Sequence, residues 1–245
     1  MTRKRAKATT VLVLVVMLAM AGCGKVGEKR SPEEWLSLSY SGLAATDQYA
    51  FTGSMSIKTA AGLEFKPEIF EGKVVDHQQL TLQSDGEDPL HWNPVQVLEA
   101  LNNENDAVAI SEGPHEPGTM MLLVTEPPRV SKARWEKRLR LQVDQLGTNG
   151  PAQDHPGRVE WSKELERSRQ QLETMLSTMQ AATQYELTID RDRLLPLKME
   201  EKTTFIYKYA KQAVTEERYT TVRFQSFNGA SSSTVQQSLK RGTIN

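Results

Sequence analysis

The sequence predicts an α+β protein: one antiparallel β-sheet with helices packed against it. Two observations carry that prediction. Apolar and polar residues alternate from Tyr49 to Leu82 and again from Tyr185 to Phe227, broken by short turns, the pattern of antiparallel strands with one wet face. Between these regions lie amphipathic runs at helical spacing, after Pro128 and after Gly157. Strands and helices that are segregated in this way define α+β rather than a parallel sheet.

The chain opens on an address. Arg3, Lys4, Arg5 and Lys7 form a basic start, and Val11 to Met20 is an uncharged apolar run. Ala21, Gly22 and Cys23, the sole cysteine, follow it. That order is a secretory signal peptide, and its apolar run is too short to span a bilayer. The stretch Leu18-Ala19-Met20-Ala21-Gly22-Cys23 resembles the lipobox of bacterial lipoproteins, which implies cleavage before Cys23 and its acylation. The expected organisation is a signal peptide over 1–22, a lipidated tether over 23–30, one domain over 31–228 and a polar tail over 229–245. The protein is then expected on the extracytoplasmic face of a cell membrane, held there by acyl chains. Two such chains anchor durably where one holds marginally.

Charge narrows the partners. The chain has 30 basic and 31 acidic residues, and four of the basic ones precede Cys23. The remainder is mildly acidic, which argues against nucleic acid and against overall attraction to anionic lipid. With Cys23 acylated, no thiol is left for a disulfide or a cysteine metal site.

The first helix starts at Ser31. Ser-Pro-Glu-Glu supplies an N-cap serine, proline at the first helical position and Glu34 for a capping box. Leu36, Tyr40 and Leu43 then recur at helical spacing, to about Thr46. Tyr49, Phe51, Met55 and Ile57 alternate as a strand, with Gly53 in the apolar row where a close approach or a bend is expected. Leu63, Phe65, Ile69 and Val74 suggest a second strand, and Leu80 and Leu82 a third. Asn93-Pro94 opens a helix carrying Val95, Leu98 and Leu101. Asp106 to Ile110 and Thr119 to Thr125 read as strands. The continuous run Met120 to Val124 places the latter near the centre of the sheet, covered on both faces.

Trp135, Leu139, Val143 and Leu146 mark one face of the next helix. Trp161, Leu165, Leu172, Met175, Leu176 and Met179 mark another, and the pair is expected as a hairpin lying over the sheet. The basic cluster Arg129 to Arg140 reads first as a solvated helix face and second as a surface for lipid headgroups, because Glu136 and Asp144 are mixed in. Tyr185, Leu187 and Ile189, then Leu195, Leu197 and Met199, alternate as strands. Two more follow at Thr203 to Tyr209 and Arg218 to Phe227, with Gln212 to Glu217 as their connection.

Thr188-Ile189-Asp190, a short turn and Leu195-Pro196-Leu197-Lys198-Met199 resemble the strand, turn and Leu-Pro strand of LolA-like and LppX-like lipoprotein carriers. Thr220 to Asn228 is similar to their closing strand, and the element order matches over Ser31 to Asn228. The resemblance implies a curved sheet forming an open half-barrel, closed by helices over an apolar cavity, and it implies no catalytic residues.

The residues offer little chemistry of their own. His77, His91, His115 and His155 are not paired at ligand spacing, Asp85-Gly86-Glu87-Asp88 lacks the alternating oxygens of a calcium loop, and no nucleophile elbow or phosphate loop is present. No metal, no cofactor and no enzymatic activity is expected. Glu33-Glu34 and Glu200-Glu201 read as capping and surface carboxylates. Met55, Met120, Met121, Trp135, Trp161, Met175, Met179 and Met199 are the candidate lining of an apolar ligand pocket, against the reading that they are ordinary core. Two functions follow: shielding or transfer of a lipid or acyl chain, or a cell-envelope interaction module whose interior its own side chains fill.

Overall fold

The computed structural model describes residues 30–229, except 60, 61, 66, 78, 85–92 and 153. The leader, Cys23, the tether ahead of Arg30, the tail after Gly229, the acidic turn Asp85 to Asp88 and His91 lie outside the described residues. Within them the chain is α+β, with four helices and one open, fully antiparallel eight-stranded sheet. In chain order the elements are α1 (Pro32–Ala44), β1 (Tyr49–Thr59), β2 (Glu68–Val75), β3 (Gln79–Ser84), α2 (Pro94–Asn103), β4 (Ala107–Ile110) and β5 (Thr119–Thr125). Then come α3 (Pro128–Thr148), α4 (Arg158–Thr178), β6 (Gln180–Asp190), β7 (Leu195–Tyr209) and β8 (Gln212–Gln225).

The strand order is β3-β2-β1-β8-β7-β6-β5-β4, two meanders joined where β8 pairs with β1 over Ala50↔Gln225 to Thr59↔Glu216. Asn228 N–H donates to the Gln48 carbonyl at 2.7 Å and ties the chain end beside the start of β1.

Both helix pairs cover the same face. In β6, Ala181, Thr183, Tyr185, Leu187 and Ile189 are buried on one side while alternate residues are exposed or half-buried. α1 and α2 close a larger core with Leu36, Leu43, Leu98 and Leu101 against Tyr49, Phe51, Phe70, Leu122, Leu187 and Val222. α3 and α4 close a smaller one in which Trp135, Leu176 and Met179 meet Ala181 and Phe205. Among the described residues the other face is polar and carries no helix.

α1 begins as its sequence dictates. Ser31 Oγ accepts from the Glu34 N–H and Glu34 accepts from the Ser31 N–H. A side chain on Gly42 would reach within 2.5 Å of the Leu194 carbonyl oxygen, so glycine lets α1 cross the turn between β6 and β7.

Several expectations are corrected. β2 buries Phe70, Gly72 and Val74, whereas Leu63, Phe65 and Ile69 are 66%, 58% and 55% exposed. The phase is set by two reciprocal cross-strand pairs, Phe51↔Gly72 and Gly53↔Phe70. Each phenylalanine ring fills the space where the opposite glycine lacks a side chain, 2.1 Å and 2.2 Å from where a Cβ would stand. β5 buries only Met120, Leu122 and Val124, and it lies one strand from the edge, between β6 and the edge strand β4.

The strand from Leu195 does not stop before Thr203: β7 continues to Tyr209 and absorbs a register shift between Thr188 and Ile189 of its partner. Residues 212–217 are strand, not connection, since Ala210 and Lys211 alone form the turn with φ of 50° and 69°. The α3–α4 hairpin touches the sheet only at its base. Ser131 and Trp135 are the buried residues of α3 and Leu176 that of α4, while Leu146 is 56% exposed. At about 1.5 Å per residue each helix spans roughly 30 Å, so most of the hairpin projects past the strands.

Candidate functional site

Between the two apolar cores the covered face carries polar side chains. Glu126 stands at the end of β5, just ahead of the Pro127-Pro128 start of α3, and its N–H donates to the Thr183 carbonyl at 3.1 Å. Two turns into α3, Arg134 reaches back: its Nε and Nη2 donate to the two Glu126 oxygens at 3.1 and 3.0 Å, and Nη2 also donates to Glu201 Oε1 at 2.9 Å. β6 and β7 bring Thr183 opposite Thr203 and Tyr185 opposite Glu201. Their hydroxyls continue the network, Ser131 to Thr183 at 2.5 Å, Thr183 to Thr203 at 2.9 Å and Thr203 to Glu201 at 3.2 Å.

Glu126 and Glu201 are each 4% exposed and Arg134 is 31% exposed. Burial works against the charge on Arg134, yet Tyr185, Glu201 and Glu126 outweigh it, so the guanidinium is held charged above its ordinary range. Two buried carboxylates on one guanidinium form a fixed ion cluster. Trp135, the next residue, packs edge-on against Phe205 at 5.0 Å, with the guanidinium carbons of Arg218, Arg138 and Arg134 at 4.7, 5.0 and 5.2 Å from its ring. Arg218 also donates toward the Met55 sulfur. The cluster locks the base of α3 to the sheet and separates the two cores.

The sequence-selected residues divide. Met55, Met120 and Met199 join the larger core, and Trp135 and Met179 join the smaller, with Met175 packed half-buried against it. Met121 faces the bare side of the sheet, because adjacent strand residues point to opposite faces, so it shares no lining with Met120. Trp161 is half-buried far out on the hairpin, where its ring lies against Gly150 and Arg158. The eight residues therefore do not line one space. Glu200 stays on the bare face with Lys198, as surface carboxylates do, but Glu201 is buried. Its signal was its phase: it alternates with Met199, Thr203 and Phe205.

His77 Nε2 lies 2.7 Å from Asp47, His115 Nε2 contacts the Ser111 carbonyl at 2.6 Å and His155 Nδ1 accepts from the Gly157 N–H at 3.1 Å. Among the described residues no group of three or more acidic, histidine or cysteine side chains is placed to hold a metal ion, and no helix is long and apolar enough to cross a membrane.

Buried and half-buried phenols give the fold a pH dependence. Burial raises Tyr49, whose hydroxyl has no hydrogen-bond partner among the described residues. Burial and then the Glu201 charge raise Tyr185 well above the ordinary phenol range, and burial with Glu216 pushes Tyr207 up to about 12. These groups stay neutral in the fold but ionise when it opens. Their contribution is complete below pH ~10 and is lost as pH rises further, at about 1.4 kcal/mol per unit for each fully buried phenol. Unfolding on alkaline titration should therefore coincide with tyrosinate absorbance near pH 10 to 12, and Tyr49→Phe should move that midpoint upward. Circular dichroism and ultraviolet absorbance recorded together test both outcomes.

No protein-family model matches the chain, and no curated protein matches it. A solved structure, the Mycobacterium avium subs paratuberculosis tesB protein MAP1729c, aligns at 6% identity over 78% of this chain and 84% of that one, with a TM-score of 0.11. A likeness that low carries no argument about fold or function.

Proposed function

We propose that the protein is a lipid-anchored module of the cell envelope that acts by contact with another envelope protein, using a LolA-like sheet whose covered face its own side chains fill. The observation that carries this reading is the ion cluster of Glu126, Arg134 and Glu201 across the middle of that face. An acyl chain laid there would lie against two carboxylates and a guanidinium, and such groups resist an apolar environment. Trp135, Met179 and Met199, each 1% exposed, already occupy the space on either side. Anchoring rests on the lipobox-like residues ending at Cys23.

Native mass spectrometry of the full-length protein extracted from its own membranes tests both parts. The expected species begins at an acylated Cys23, carries no further lipid and is found alone or with a second protein. Stoichiometric non-covalent lipid would overturn the filled-module reading in favour of a carrier. A Cys23 without acyl mass would overturn the anchoring.

A further inference from the structure

The sheet is open, so the edge strand β4 keeps one side of its backbone free. Register sets which groups those are. Ser111 N–H donates to the Met121 carbonyl at 2.9 Å, and Ala109 and Ala107 stand opposite Leu123 and Thr125, so these alternate residues bond inward to β5. Asp106 also turns its N–H inward, to the Thr125 carbonyl at 2.8 Å. Val108 and Ile110 therefore point their N–H and C=O groups away from β5, and among the described residues no hydrogen bond reaches those groups.

β4 also lacks the side chains that blunt an edge. Ala107 and Ala109 are exposed, Ile110 is 45% exposed, and the strand has neither lysine nor proline. Its flanks are acidic. Asp106 and Glu112 are exposed, and neither carboxylate has an ion-pair or hydrogen-bond partner among the described residues. These charges decide between occupants. A second copy pairing antiparallel through Val108 and Ile110 of both chains would set Asp106 opposite Glu112 twice, and like charges directly opposite are destabilising. An extended segment with a basic residue at each end meets the same backbone with attraction at both.

We infer that β4 receives an extended segment of the partner protein as an added outer strand, with small or apolar residues at its centre and a lysine or arginine at either end. Main-chain hydrogen bonds to Val108 and Ile110 fix its register, and the flanking ion pairs select its sequence. β4 is short, so the backbone bonds are few and the charged ends carry much of the recognition. The inference rests on the interaction-module reading and supplies the chemistry of its contact.

The test uses the full-length protein in detergent micelles and an end-blocked peptide, Lys-Val-Thr-Val-Thr-Val-Lys, with amide hydrogen exchange read residue by residue. The peptide should slow exchange at Val108 and Ile110 by at least about tenfold, while Ala109, already bonded to β5, changes little. Ile110→Pro removes one outward N–H and no bond to β5, so it should weaken binding while the β5 amides exchange as in the parent, which shows that the sheet is intact. Asp106→Lys combined with Glu112→Lys should transfer the protection to Glu-Val-Thr-Val-Thr-Val-Glu. Unchanged exchange at Val108 and Ile110 under excess peptide would overturn the edge site and leave the module reading standing, since stoichiometric lipid in the native mass spectrum is what overturns that reading. Protection that ignores the charge reversal would overturn the acidic flanks as selectors. Protection confined to β3 would overturn β4 as the receiving edge. Protection at Val108 and Ile110 that rises with protein concentration in the absence of peptide would assign the edge to a second copy of the chain and overturn the partner segment.

Discussion

Arg134→Ala should lower the unfolding free energy by about 3 kcal/mol, because it leaves the buried carboxylates of Glu126 and Glu201 facing each other without a cation. The arginine is 31% exposed, and water entering behind the missing side chain holds the expected loss to the lower end of the range for buried pairs. Denaturant melts should show a lower midpoint. The triple variant Arg134→Leu, Glu126→Gln, Glu201→Gln should recover much of the loss, since the amide at 201 keeps the hydrogen bond from Thr203 and neither amide buries a charge. A single alanine variant as stable as the parent would mean the cluster is solvated, and the case against an apolar ligand on that face would fall with it.

The second large effect runs against strand propensity. Gly72→Val places a residue favoured in sheets at a strand position, yet its Cβ would stand 2.1 Å from the Phe51 ring. That ring is 1% exposed and has Tyr49, Phe70 and Phe224 around it at 6.3 to 6.5 Å between centroids, so it has nowhere to swing. The expected loss is about 3 kcal/mol, the upper end for overpacking a filled core. Pairing Gly72→Ala with Phe51→Leu in a double-mutant cycle should show a coupling of about 1 kcal/mol or more, because the smaller side chain makes room for the added methyl. Additive losses would show that the ring and the glycine do not share the space.

Local order was legible in the residues. Ser31, Pro32 and Glu34 announce α1 because a capping box is complete within four residues, and the alternation of Tyr49, Phe51 and Met55 or of Tyr185, Leu187 and Ile189 needs no distant partner to be seen. The phase of β2 was not, since Phe70 is selected by a glycine seventeen positions away on the neighbouring strand. The turn at Ala210 and Lys211 was hidden because both residues take positive φ without the glycine or asparagine that marks such turns. The ion cluster was hidden for a different reason. Arg134 lies 8 residues from Glu126 and 67 from Glu201, so Arg134 and Glu201 read as surface charges and Glu126 drew no reading until α3, β5 and β7 were brought together.

The join between the two meanders constrains when this molecule can become itself. β1 has β2 on one side, but its other neighbour is β8, whose pairing ends at Gln225. A chain threaded through a membrane from its amino terminus has therefore delivered nearly every residue before the first strand gains its second partner. Sequence separation this long slows productive folding, and until then the early strands keep bare edges. The topology itself delays compaction, and under the export proposed above that delay gives the chain time to cross a translocation channel unfolded.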